Sequence, residues 1–186
     1  MGQIARLILK LFGWNVYSRV PLDVPKAVII MAPHTSNLDF IIGRLGFYVY
    51  GIKPKTLIKK EAFTPILGPV LRWFGGVPVD RGHSHHTLKK LTEEFDKHDS
   101  LYLLITPEGT RRRVKNWKKG FYFIAQTANV PIFLGFLDYR RKVGGVGDIL
   151  YPSGDFDADL KHIQDFYRDK YARHPERFNL SPEERR

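Results

Sequence analysis

The chain has 186 residues, 43% of them hydrophobic and 26% charged, which is enough for one domain with its own core. It has no cysteine, which excludes disulfides, thiolate metal sites and a cysteine nucleophile. A formal net charge of +11 favours an anionic partner: nucleic acid, an anionic membrane surface or a phosphorylated small molecule.

The charge is uneven. Residues 151–186 hold 7 Lys/Arg against 8 Asp/Glu, so residues 1–150 hold 23 basic and 11 acidic residues, a net +12. No segment reaches the roughly 18 uninterrupted apolar residues of a spanning helix. "MGQIARLILKLFGW" does not read as a signal peptide, because Arg6 and Lys10 break its apolar run. Ile4, Leu7, Ile8, Leu11 and Phe12 recur at helical spacing, with the two cations off the stripe and Trp14 at the end. Such a helix either lies in a membrane interface or packs on its own domain.

In chain order, "KAVIIMAP" reads as a buried strand and "NLDFIIGRLGFYVY" as a helix, with Asn37 at the N-cap and Asp39 in the first turn. "KTLIKK" is a strand, "TPILGPVLRWFGG" a helix and "VPVDR" a third strand. "HTLKKLTEEFDKH" is a helix with Leu88, Leu91 and Phe95 on one side. "SLYLLITP" is a strand, "KGFYFIAQTANV" a helix and "PIFLGFLDY" a fifth strand. "GVGDILYPSG" reads as a hairpin arm or edge strand, and "DADLKHIQDFYRDKYARH" as a closing helix opened by an aspartate cap. Apolar strands alternating with helices predict an α/β domain with a mostly parallel sheet covered by helices.

Sites in such sheets lie beyond the carboxyl ends of the strands. Three unusual stretches fall there: "PHTSNLD", "DRGHSHH" and "PEGTRRR". In the first, His34 and Asp39 are spaced so that a carboxylate one turn into a helix meets an imidazole at a strand end. That pairing fits a general base, a pair of metal ligands or an ordinary strand-to-helix turn. "PEGTRRR" joins a glycine, a hydroxyl and guanidinium groups after a buried strand, a set that suits a phosphate. "RRRVKNWKK" adds six positive charges and no negative one, which also describes a solvated basic loop. Arg81 offers a second phosphate contact or pairs with Asp80. "HSHH", His83 to His86, lacks any conventional metal motif, and no metal site is expected there.

These stretches together resemble the glycerolipid acyltransferases, the family of lysophosphatidic acid acyltransferase. "HTSNLD" is similar to its HX4D block, "GGVPVDRG" to its second, "PEGTRRR" to its third and "ANVPIFLGF" to its fourth, in family order over residues 28–137. Pro33 and Arg112 stand where many members have Asn and Ser. The resemblance implies acyl transfer from acyl-CoA or acyl carrier protein to a lysolipid hydroxyl, with no further cofactor. His34 would be the base and Asp39 its orienting partner. Arg81, Glu108, Gly109, Thr110 and Arg111 would bind the acceptor. It also implies a peripheral membrane protein on the cytoplasmic face, with residues 1–20 as an amphipathic membrane-surface helix, residues 21–186 as the acyltransferase domain and an anionic membrane as partner. The acceptor expected is 1-acylglycerol 3-phosphate, with an ornithine lipid, a glycine lipid or a lipid-A-like precursor as alternatives. A nucleic-acid module, motivated by the charge and by Trp117 among the cations, ranks below these, as does a metal-dependent hydrolase using His34, Asp39 and His83–His86.

Overall fold

The computed structural model describes residues 1–18, 24–79 and 84–181. Its elements run in the order α1 (Gly2–Leu11), β1 (Asn15–Ser18), β2 (Lys26–Met31), α2 (Leu38–Val49), β3 (Lys55–Lys59), α3 (Leu67–Trp73), β4 (Gly76–Val79), α4 (Ser84–Asp96), β5 (Leu101–Ile105), α5 (Gly120–Thr127), β6 (Ile132–Asp138), β7 (Val143–Leu150) and α6 (Phe156–Tyr167). The seven strands form one sheet in the order β1-β7-β6-β2-β5-β3-β4. Every pairing is parallel except the β6–β7 hairpin. The predicted α/β domain with a mostly parallel sheet is what is observed.

The centre of the sheet is β2, and its sequence shows why. Val28, Ile30 and Ala32 point to one face, and Ala27, Ile29 and Met31 to the other. Both faces are covered, so the run is continuously apolar rather than alternating. On one face Phe121 and Ile124 of α5, Ile163 and Tyr167 of α6, and Leu91 and Phe95 of α4 close the larger core. On the other, Leu9 and Trp14 from the N-terminal segment and Phe47 of α2 close a second. Truncating Phe121, which is fully buried, to Ala would cost about 3–5 kcal/mol. Tyr167 plugs its hydroxyl into the sheet backbone, donating to Gly135 O at 2.8 Å and more weakly to Ile30 O at 3.3 Å.

Two expectations change. The segment 1–20 is not helical throughout: α1 stops at Leu11 and residues 15–18 form β1. Gly13 causes the stop, taking φ +76° so that its N–H reaches Lys10 O and the N–H of Trp14 reaches Leu9 O, which closes the helix end. This turn folds Trp14 inward to 7% exposure, so Trp14 is a core residue and not an interfacial anchor. Of the two readings of β7, the hairpin arm is the one observed, since β7 pairs antiparallel with β6 while β1 covers its outer side. The closing helix is capped by Asp155, whose carboxylate accepts from Asp157 N and Ala158 N.

Candidate active site

The parallel strands β2, β5, β3 and β4 lie side by side and end on one edge. His34 follows β2, and the 106–111 loop follows β5 next to it. Arg81 follows β4, in residues 80–83, which lie outside the described residues, as does His83.

The turn from β2 into α2 is organised by Asp39, which is 2% exposed. One carboxylate oxygen, Oδ2, accepts from Thr35 N at 2.7 Å and Ser36 N at 2.8 Å. The same oxygen lies 3.3 Å from His34 Nδ1. The other, Oδ1, accepts from the Tyr139 hydroxyl at 2.6 Å. Burial opposes the charge of Asp39, but the bonds from His34, Tyr139 and Ser36 outweigh it and hold the carboxyl below its usual range. Asp39 therefore stays ionised and fixes both the turn and the imidazole. Asn37 occupies the N-cap position of α2, but its side chain does not cap the helix. It accepts instead from Arg111 Nη1 of the loop after β5. Ser36 Oγ accepts from Leu38 N at 3.2 Å, a local contact at the start of α2.

Glu108 sits behind this turn. It is 4% exposed, and its Oε2 accepts from His34 N at 2.8 Å. Its Oε1 is buried and has no hydrogen-bond partner among the described residues. Burial pushes its carboxyl well above the usual range, against the His34 N–H bond and with help from the charge of Asp39. Gly109 then turns the chain at φ +67°, a region in which a side chain would be strained. The amide of Lys118 closes the loop on Pro107 O at 2.8 Å.

His34, Asp39, Gly109, Thr110 and Arg111 line one cleft of about 620 Å³. Its walls beyond the dyad are largely apolar, with Phe40 and Ile41 from α2, Leu57 and Ile58 from β3, and Leu67 and Leu71 from α3, interrupted by Arg44, Thr56, Lys59 and Thr106. Such a cleft holds a polar reacting centre at one place and a long apolar group along the rest. Trp117 does not serve the nucleic-acid alternative. It is 5% exposed, its ring meets Tyr167, and its indole N–H donates to Asn179 Oδ1, so no face is open for a base to stack on.

Sequence reasoning did not single out Tyr139, Thr35 or the Asn37 side chain as parts of the site. Tyr139 was findable: it directly follows β6, which runs parallel to β2, so it belongs to the same strand-end edge.

A family model described as "Acyltransferase" matches residues 15–133. The chain belongs to that family. Among curated proteins it is similar to a "Probable 1-acyl-sn-glycerol-3-phosphate acyltransferase" of Mycoplasma pneumoniae, 30% identical over 141 residues, covering 70% of this chain and 52% of the relative. The chain thus spans about half the length of that curated relative. No solved structure matches it significantly. No described helix is long and apolar enough to cross a membrane.

Proposed function

We propose that the protein moves a fatty acyl group from acyl-CoA or acyl carrier protein to the free hydroxyl of a lysolipid, 1-acylglycerol 3-phosphate being the acceptor that fits best, in phospholipid biosynthesis. The observation that carries this is the His34–Asp39 pair in a largely apolar cleft whose polar lining also includes Thr110 and the cations Arg44, Lys59 and Arg111. With Nδ1 held against the ionised Asp39, Nε2 is the nitrogen left to accept a proton. The lysolipid hydroxyl gives that proton to His34 as its oxygen attacks the thioester carbonyl. The carbon–sulfur bond then breaks, and the proton passes from His34 to the departing thiolate. No residue is acylated on the way.

In this reading Arg111 meets the acceptor phosphate, with Arg81 as a second cation, and Gly109 and Thr110 shape the approach. Glu108 acts from behind, holding the backbone of His34. The apolar walls suit the acyl chain. The distant relative's printed activity and the +11 charge support a phosphate-bearing acceptor.

An anionic membrane surface on the cytoplasmic face is the partner we propose for two exposed apolar faces. Ile4, Leu7, Leu11 and Phe12 face outward on residues 1–12, the proposed surface helix of an acyltransferase domain, while Ala5 and Leu9 face the core. At α3, Ile66 just before the helix is 84% and Trp73 at its end 75% exposed, and Leu67 also lines the cleft. Exposed apolar side chains flanked by cations suit a bilayer interface.

The test is product analysis. Purified protein is incubated with labelled acyl-CoA or acyl carrier protein and a panel of 1-acylglycerol 3-phosphate, lyso-ornithine lipid, lyso-glycine lipid and lipid-A-like precursors, and products are identified by mass. Phosphatidic acid as the main product is expected. Acylation of only a non-phosphate acceptor would contradict the phosphate assignment.

A further inference from the structure

The carboxylate of Asp39 has a second oxygen that the dyad does not use, and it is occupied. Tyr139 donates its hydroxyl to Oδ1 at 2.6 Å, the shorter side of a carboxylate whose other oxygen serves His34, Thr35 and Ser36. We propose that Tyr139 is a positioning residue of the reaction, the third member of a His34–Asp39–Tyr139 relay that fixes the orientation and charge of Asp39. The proposal rests on the general-base reading of His34.

Three features make the hydroxyl a fixed donor. Its backbone is anchored, since Tyr139 N donates to Tyr171 O at 2.9 Å at the end of β6. Its ring meets the edge of Trp14, with centroids 5.0 Å apart and planes at 88°. Trp14 is itself held by the Gly13 turn that ends α1. With ring and backbone both seated, the hydroxyl pays little rotamer entropy to sit on Asp39. Burial and the Asp39 charge push the phenol far above its ordinary range, so it remains a donor at every working pH.

A carboxylate stripped of this bond would keep its oxygen on the turn amides but lose a restraint on its plane, and with it the aim at His34 Nδ1. The charged form of Asp39 would also lose one of the bonds that favour it, so its carboxyl would protonate at higher pH. Other charged groups face this cluster. Glu108 lies against His34 N, Arg111 against Asn37 and Arg173 against the Tyr139 hydroxyl. Arg177 reaches Thr35 O, and the Asp138–Arg141 pair flanks the end of β6. Removing the hydroxyl alone takes its contact from Arg173 and leaves the others in place.

The experiment compares wild type, Tyr139→Phe, Asp39→Asn, the double variant and His34→Ala in acyl transfer from acyl-CoA to 1-acylglycerol 3-phosphate, with kcat, KM and the pH profile measured for each. Phe keeps the ring and its contact with Trp14, so melting temperature serves as the control for fold. Tyr139→Phe is expected to lower kcat roughly tenfold with KM unchanged, and to move the acid limb of the profile to higher pH. In the Asp39→Asn background the same change should alter kcat less than twofold, because the hydroxyl acts through the carboxylate. Wild-type kcat and profile for Tyr139→Phe, or a full additive loss in the double variant, would overturn the relay while an inactive His34→Ala left the base assignment standing. Normal turnover by His34→Ala would overturn both.

Discussion

The turn after β2 and the loop after β5 reach the same cleft from adjacent strands, yet they are built differently. In the first, Asp39 is 2% exposed, both of its oxygens are engaged, and two backbone amides and a phenol converge on it. In the second, Glu108 is buried, but Thr110 and Arg111 emerge into the cleft, and Arg112 and Arg113 extend into solvent. A general base needs a fixed aim, and a saturated, buried turn provides it. A binding loop for a charged headgroup needs cations at the surface on a firm base, and the Glu108–Gly109 turn provides that base. On the proposed reading, chemistry and recognition are separated at the level of burial: changes at the buried Asp39 should strike kcat and stability together, and changes at Thr110 or Arg111 should strike KM alone.

Asp39→Asn should produce the largest effect. A single amide oxygen cannot serve the Thr35 and Ser36 amides, His34 and the Tyr139 hydroxyl at once. The loss of base alignment is expected to lower kcat by about 10²–10⁴, and the orphaned donors to cost about 1–3 kcal/mol of stability, read by denaturant melts. A variant with normal kcat would break the contrast at its firm end. Arg111→Ala is expected to raise KM for a phosphorylated acceptor by roughly 10–100-fold, the scale of a hydrogen bond to a charged group, with kcat and melting temperature near wild type. A kcat loss with unchanged KM would place Arg111 in the chemistry instead. Trp73→Ser, outside both regions, should weaken binding to anionic vesicles roughly tenfold in flotation assays without changing the circular dichroism spectrum. Unchanged flotation would remove α3 from the membrane-facing surface.

The smallest change is Glu108→Gln, which keeps an oxygen for the His34 N–H. The carboxyl of Glu108 is raised in the folded state, so the folded protein holds its proton after the unfolded chain has released it. Wild-type stability should therefore fall as pH rises above the ordinary glutamate range, until the folded group also ionises. The glutamine variant should lack this fall and gain on wild type with rising pH in urea melts. Parallel stability curves would show that Glu108 ionises normally.

Much of the fold was legible because apolar runs are strong signals. "KAVIIM", "LYLLI" and "IFLGFLD" are continuous and strand-length, and each is an inner strand, the first and last covered on both faces. β1 was not legible. Four residues with an exposed-intermediate alternation follow a helix whose end is set by a glycine, and only the pairing with β7 makes them a strand. The inward turn of Trp14 is also a tertiary fact, since aromatic residues at helix ends suit cores and interfaces alike. In the site, the local dyad could be seen from spacing. The role of Glu108 could not, because a carboxylate that meets a substrate and one that holds a backbone amide look the same in sequence. Tyr139 lies 100 residues from Asp39, and only the adjacency of β6 and β2 brings them together.

The most direct measurement of the central claim is single-turnover acyl transfer by His34→Ala, from labelled acyl-CoA to 1-acylglycerol 3-phosphate, beside wild type at matched concentration and with melting temperature recorded for both. Without the imidazole, Asp39 still accepts from Thr35 N, Ser36 N and the Tyr139 hydroxyl, so the variant should stay folded, melting slightly below wild type, while its transfer rate falls by about 10²–10⁴. A folded variant that transfers the acyl group at the wild-type rate would contradict the assignment of His34 as the base.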